Sequence, residues 1–333
     1  MAAGQWFLSV AGSVEKVPLM PQGRTNSLRL FRVFGVDVYL HWTWLLVAIW
    51  QIAYRPRTYS SFAWSVIEYL ALFLIVLLHE FGHALACRQV GGKADRILLW
   101  PLGGVAYISP PERPGALLWS VAAGPLVNVV LFIVCFGLTL LGSVLYHVPF
   151  QIKPQPDWFQ FLFNLSVINL LLLVFNLLPI YPLDGGQILR ALLWFPLGRA
   201  RSLFAVAVAG FAGVAMLAVY ALYEQSFWMG FLTLFILLRC FAALKVAQRL
   251  TATEQLPRRT DFACPSCGTA PPAGAIWRCP QCRAAFDCFA NDGICPQCQA
   301  RDESVQCFNC KTVHPLVAWR SPPPPLPAGN SIS

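Results

Sequence analysis

Leu77-Leu78-His79-Glu80-Phe81-Gly82-His83 lies deep in an apolar run from Trp64 to Ala86, and its reading decides the fold. The run predicts a membrane helix. On that helix His79 and His83 stand four residues apart, so both imidazoles leave the same face and can hold one zinc ion. Glu80 sits beside them as a base for a bound water. This is the chemistry of a zinc hydrolase. A chance match does not explain the setting: three ionisable groups among Leu, Ile, Val and Phe are expensive to bury, and ionisable residues inside a membrane are functional candidates by default.

Composition agrees. The 333 residues are 57% hydrophobic and only 12% charged, against roughly 25% charged in a soluble domain. The fold class expected is an α-helical polytopic membrane protein of about six transmembrane helices, with short membrane-associated β segments and a small Cys-rich zinc-ribbon domain. A net charge of +9 suggests nucleic acid in a soluble chain. Here orientation in the membrane accounts for it.

Residues 1–27 lack a cationic start followed by a long apolar stretch and read as a cytosolic arm, not a cleaved signal peptide. Leu28 to His41 alternates around Gly35, which fits a short strand or hairpin at the interface. A first span is expected over Leu40–Tyr54, with Trp42, Trp44 and Trp50 as headgroup-level anchors. His41 is either a boundary group or a further ligand. The second span, Ser61–Val90, carries the histidine motif and ends at Gly91-Gly92. Arg96–Ile108, broken by Pro101 and Gly103-Gly104, is too short to span and reads as a re-entrant loop or hairpin. Irregular backbone at membrane depth must line a cavity or be buried in protein, so this segment borders the site.

The third span, Pro114–Tyr146, contains Gly124-Pro125 and Asn128, whose polar side chain suits either an interhelical hydrogen bond or a catalytic role. The fourth begins near Trp158 and runs into Asn176-Leu-Leu-Pro179-Ile-Tyr-Pro182-Leu-Asp184-Gly185-Gly186, where two prolines and two glycines break the helix. Asp184 is thereby placed at an unwound site in the membrane, where a lone carboxylate is costly unless it meets a cation. Spans Ser202–Tyr223 and Phe227–Val246 bring the crossings to six. With that topology fifteen basic residues fall on the inner side, against Arg55, Arg57 and Lys153 outside. Both termini are therefore expected in the cytosol, with the histidine motif in the half of its helix nearer that side.

Beyond Arg259 eight cysteines form four CxxC pairs: Cys264/Cys267, Cys279/Cys282, Cys295/Cys298 and Cys307/Cys310. Each pair puts two thiolates on one turn, and two pairs complete a tetrahedral zinc site. Sequential pairing is the default and crossed pairing the alternative. A reducing cytosol argues against disulfides. Cys288 is left over as a free thiol. The domains expected are the arm 1–27, a membrane domain 28–250, a linker 251–263, a double ribbon 264–318 and a Pro-rich disordered tail 319–333.

The motif His79-Glu80-Phe81-Gly82-His83, followed about a hundred residues later by Asn176 through Pro179 and Pro182 to Asp184-Gly185-Gly186, resembles the site-2 protease family of intramembrane zinc metalloproteases, peptidase family M50. Gly103-Gly104 and Gly124-Pro125-x-x-Asn128 match the family pattern, and the resemblance covers roughly residues 28 to 250. It implies that His79, His83 and Asp184 bind the catalytic zinc, that Glu80 is the general base, and that Asn176 holds the substrate backbone. Gly103, Gly104 and Asn128 are expected at the substrate. The resemblance also implies regulated intramembrane proteolysis of a membrane-spanning protein; the membrane expected is a bacterial cytoplasmic one.

Two readings from other classes stand beside this one. A membrane metal carrier uses the same ligands but has no need of Glu80. A membrane-anchored ribbon scaffold binds a cytosolic protein; its basic and acidic residues balance, which leaves no phosphate-binding stripe and makes nucleic acid unlikely as a partner. Elemental analysis of the purified chain is expected to find about three zinc ions, one open and two closed sites.

Overall fold

The computed structural model describes residues 27–53, 59–100, 103–148, 155–310 and 312–320, with side chains undescribed at 50–53. The expected arm through residue 26, Pro101, the outer basic residues Arg55, Arg57 and Lys153, and the Pro-rich stretch from Ser321 lie outside these. The described residues divide into two compact units, 27–198 with 202–243, and 199–201 with 244–320.

The first unit opens with a hairpin, β1 (Ser27–Val33) and β2 (Val36–His41). Its turn residues Phe34 and Gly35 take φ of 49° and 72°, the left-handed pair that a tight hairpin turn requires and that glycine meets without strain. A second hairpin, β3 (Lys93–Trp100) and β4 (Gly103–Ser109), fulfils the hairpin expectation for Arg96–Ile108. Strands β2 and β3 pair in parallel, giving one sheet of order β1-β2-β3-β4 with β4 at an edge.

Parallel neighbours need a crossover, and here it consists of α1 (Thr43–Ala53) and α2 (Phe62–Gln89). Val36, Val38, Ile97 and Leu99 form the sheet's inward face, packed with Trp44, Val76, Leu77 and Ala84. Arg88 in the last turn of α2 fastens the sheet to the helix. Its guanidinium donates to the carbonyls of Phe34, Gly35 and Ala94, and Gly91 ends the helix at φ 84°.

The opposite side of α2 packs on α3 (Pro114–Leu145) and α4 (Asp157–Leu177). The chain breaks after Leu177 and resumes as α5 (Asp184–Leu197), followed by α6 (Arg199–Tyr223) and α7 (Phe227–Glu254). Asp184 thus occupies the first turn of a new helix rather than an unwound stretch, where exposed N–H groups favour a carboxylate. Among the described residues α2, α3, α4, α6 and α7 are long and apolar enough to cross a membrane. The first expected crossing, Leu40–Tyr54, is described as α1, whose 11 residues are too few to span and which is not among these five; its expected end at Tyr54 lies outside the described residues.

In the second unit two short hairpins, β5 (Trp277–Arg278) with β6 (Ala285–Phe286) and β7 (Ser304–Gln306) with β8 (Val313–Pro315), are followed by a 3-10 turn at Leu316–Arg320. Phe286, Phe289, Val305, Leu316 and Trp319 fill its core. Trp319 is buried, and its carbonyl accepts from the Ala263 N–H at 3.0 Å. The ribbon unit therefore extends past the expected boundary at 318, and the expected linker 251–263 is built into helix and ribbon.

Replacing Arg88 with Met keeps the stem and removes three hydrogen bonds from a charged donor. Each such bond contributes about 1.5–3 kcal/mol when buried, less here because Arg88 is half-exposed. The expected outcome is a loss of about 2 kcal/mol, read as a lowered thermal midpoint in detergent.

Candidate active site and structural metal centres

Helix α2 delivers the two histidines as the i, i+4 spacing requires, and α3 supports them with its own stripe of period four: Ser120, Gly124 and Asn128, all buried. Because α2 and α3 run antiparallel as consecutive helices, Asn128 meets His79 while Ser120 and Gly124 meet His83. The His79 Nδ1–H donates to Asn128 Oδ1 at 2.6 Å, and the His83 Nδ1–H donates to the Ser120 carbonyl at 2.9 Å. A carbonyl can only accept, so Nδ1 of His83 carries a proton and Nε2 is the atom left to face the other two groups. The carboxamide of Asn128, whose amide in turn donates to Asn169 Oδ1 at 3.4 Å, sets His79 the same way. A Cβ at Gly124 would overlap the His83 ring.

The two Nε2 atoms face each other at 3.1 Å, and Asp184 Oδ2 lies 3.1 Å from His79 Nε2 and 3.3 Å from His83 Nε2. Three potential ligand atoms thus converge, and the nearest polar neighbours of the buried Asp184 Oδ2 are the two Nε2 atoms. A buried carboxylate facing two imidazole nitrogens calls for positive charge among them, which a bound metal ion would supply. The separations match a tetrahedral zinc, whose N and O ligands at about 2.0–2.2 Å stand about 3.3 Å from one another. The donor set therefore fits the metal that the motif predicts.

Glu80 is 5% exposed. Its Oε2 accepts the Ala106 N–H at 2.7 Å, so the base is held by strand β4. A Cβ at Gly104 would come within 2.5 Å of Glu80 Oε1, which explains why a residue without a side chain stands there. Gly103 pairs with Trp100 at the start of β4. Asn176 is half-buried in the last turn of α4, next to Leu177, against whose carbonyl Gly185 packs. Asn128 supports His79 rather than presenting its amide to an open cleft. His41 bonds Thr43 Oγ1 at 2.6 Å at the start of α1, the boundary role. The sequence reading did not single out Asn169, Ser120 or Ala106. Asn169 carries the one usable signal, a polar residue in an apolar span; the other two act through backbone groups.

The ribbon cysteines form two clusters, Cys264, Cys267, Cys307 and Cys310, and Cys279, Cys282, Cys295 and Cys298. Pairing is nested, outer with outer and inner with inner, which corrects the sequential default. Closest sulfur separations of 3.4–3.7 Å suit thiolates around one zinc, whose Zn–S bonds of about 2.3 Å put sulfurs about 3.8 Å apart, and are far too long for disulfides. Each knuckle repeats one hydrogen bond, from the N–H of its first cysteine to a carbonyl five residues on: Thr269, Ala284, Ala300 and Thr312. Gly268, Arg283 and Gln299 hold the same left-handed position after the second cysteine. Hairpins β5–β6 and β7–β8 fold locally around the second and fourth knuckles, so the knuckles' partners are decided by how these hairpins pack, and adjacency in sequence does not enter. At Cys279 the N–H of Cys282 leads in lowering the thiol to about 6, which favours thiolate. Cys288 is pushed up to about 12 by burial, then by Asp302 and Asp287, and remains an inert thiol.

What these contacts define is a cluster of two imidazoles and a carboxylate that could hold a metal, with a buried glutamate beside it, set among membrane-length helices. The sequence pattern of peptidase family M50 matches residues 67–220, and through this segment the chain belongs to that family. The chain is 33% identical over 210 residues to zinc metalloprotease MJ0392 of Methanocaldococcus jannaschii, covering 63% of this chain and 58% of the relative. It is 37% identical over 122 residues to stage IV sporulation protein FB of Bacillus subtilis, covering 36% and 38%. The chain thus spans less than two thirds of the length of either relative. A solved site-2 protease from Methanocaldococcus jannaschii is 31% identical, with 66% of this chain and 95% of that one covered and a TM-score of 0.49.

Asn128→Ala removes the acceptor that orients His79, and zinc affinity at the membrane centre is expected to fall about 10- to 100-fold, measured by chelator competition with the ribbon sites as internal reference. Nested pairing is checked by counting zinc: Cys267→Ala with Cys310→Ala should lose one ion, and Cys267→Ala with Cys279→Ala two.

Proposed function

We propose that the chain is an intramembrane zinc metalloprotease that cuts membrane-spanning protein substrates, with His79, His83 and Asp184 as the ligands of one catalytic zinc and the two four-cysteine clusters as structural zinc sites. The observation that carries the reading is the convergence of two imidazole nitrogens and a carboxylate oxygen within metal-ligand spacing, beside a buried glutamate held by a strand N–H. A zinc ion bound there supplies a Lewis acid and lowers the pKa of water toward about 7.

The chain's own residues supply the rest. Glu80 takes a proton from the attacking water and returns it to the leaving amine nitrogen as the peptide bond breaks. The Ala106 N–H fixes one carboxylate oxygen and leaves Oε1 for the proton. Asn128 and the Ser120 carbonyl keep both rings in the one tautomer and orientation that presents Nε2.

A substrate helix must unwind before its carbonyls can be attacked, since they are held in i to i+4 bonds. Exposing that backbone to lipid costs several kcal/mol per group, so replacement hydrogen bonds are needed. Strand β4 is suited to provide them: it is the edge of its sheet, and it lies against α2 where the site is. An unwound substrate segment added to that edge would run past Gly103 and Gly104. The Asn176 amide offers a further contact from the end of α4.

The finer assignments belong to the same proposal. Both termini face the cytosol, a reading supported by the bias of basic residues under the six-crossing topology. The ribbons bind a cytosolic protein, a reading supported by their balanced charge, and 28–250 forms the proteolytic domain.

Glu80→Gln keeps the size and loses the base. Cleavage is expected to fall by about 100-fold or more with zinc content unchanged. Comparing membrane proteomes of wild-type and Glu80→Gln cells should show a membrane protein accumulating uncut. An unchanged proteome, or a Glu80→Gln variant that cuts normally, overturns the proposal.

A further inference from the structure

The connection that leads into Asp184 at the start of α5 is held only in part by its own backbone and by α5, where Gly185 and Gly186 pack on it and Gln187 Nε2 donates to the Pro182 carbonyl. Between the end of α4 and the start of α5 its internal backbone bonds are few: Ile180 N to the Leu178 carbonyl at 2.7 Å and Leu183 N to the Ile180 carbonyl at 2.8 Å. A segment without a helical ladder takes its position from what its side chains rest on. Here Ile180, 5% exposed, packs with Val214 of α6 and with Ile236 and Cys240 of α7 in one apolar cluster.

Two glycines of α6 shape that cluster. A Cβ at Gly213 would fall 2.5 Å from Ile180 Cγ1 and 2.6 Å from its Cδ1. At Gly210 it would fall 2.6 Å from Cys240 Sγ and about 3.6–3.7 Å from the Tyr181 backbone N and O. The Cys240 thiol donates to the Tyr181 carbonyl at 3.2 Å. On α7, Phe235 also meets Trp100 at the end of β3, with ring centroids 5.6 Å apart. One helix therefore touches both the Asp184 loop and the hairpin that holds Glu80.

We infer that α6 and α7 form a seat for the Asp184 loop, and that Gly210, Gly213 and Cys240 are positioning residues for the catalytic metal, acting through Ile180 and Tyr181. The inference rests on Asp184 being a zinc ligand. Coordination tolerates displacements of only about 0.2 Å. Ile180 precedes Asp184 by four residues with little slack between them, so a branched side chain at 213 that lifts Ile180 lifts the carboxylate as well.

The test is a size swap in the full chain, purified in detergent. Gly213→Val is expected to weaken zinc at the membrane centre about tenfold or more, the range for groups that orient ligands, and to lower cleavage with it, while the ribbons keep their two ions. Adding Ile180→Ala returns the space and should restore both. Gly210→Ala, expected to lose zinc and to regain it on adding Cys240→Ala, keeps the seat testable should Gly213→Val fail to fold. Normal zinc and cleavage in both single variants, or no recovery in either pair, overturns the seat. His79→Ala is the control: it should lose one ion, and if it loses none the metal reading itself falls. Loss in His79→Ala with none in either glycine variant overturns the seat alone.

Discussion

Two imidazole nitrogens and a carboxylate oxygen, all carrying lone pairs, are held about 3 Å apart in an apolar bundle. Like groups at that distance repel, and a buried carboxylate without a counter-charge costs several kcal/mol even after relaxation. A metal ion among them would supply the opposing charge, and the neighbouring structure keeps the three groups facing one point. Helix α3 fixes the two rings, a broken segment brings the carboxylate, and a sheet edge holds the glutamate.

The design depends on missing side chains as much as on present ones. Gly124 lets α3 approach the His83 ring, and Gly104 lets β4 pass under Glu80. Small residues permit close approach between membrane helices, where packing and hydrogen bonds drive association in place of the hydrophobic effect. The same device recurs in α6. Arg88, by contrast, joins α2 to the sheet through charge-assisted bonds at the end of the helix, where a guanidinium can reach backbone carbonyls.

The Cys-rich unit follows a different rule. It is too small to rely on an apolar core alone, and metal sites commonly supply what such domains lack. Its four knuckles are near copies, each closed by the same backbone bond. Identity of the copies is why their partners could not be read from spacing: intervals of eleven, twelve and eight residues are each long enough to close a site. Packing of Trp319, Phe289 and Val305 into one core brings the first knuckle to the fourth and the second to the third. It also carries the domain past Trp319, a residue that the proline run after it disguises as part of a tail.

Local physics was legible in the chain itself. Periodicity and apolar length marked the spanning helices, i, i+4 spacing put His79 and His83 on one face, Gly91 and the prolines near Asp184 marked helix ends, and CxxC turns announced thiolate sites. These features act within a few residues, so a sequence states them directly. Tertiary structure alone decided which distant groups meet: Asn128 with His79, Ala106 with Glu80, Ile180 with Gly213, Cys264 with Cys310. Residue types can mark a polar group, a thiolate or a missing Cβ, but which distant group each one meets depends on the packing of whole elements.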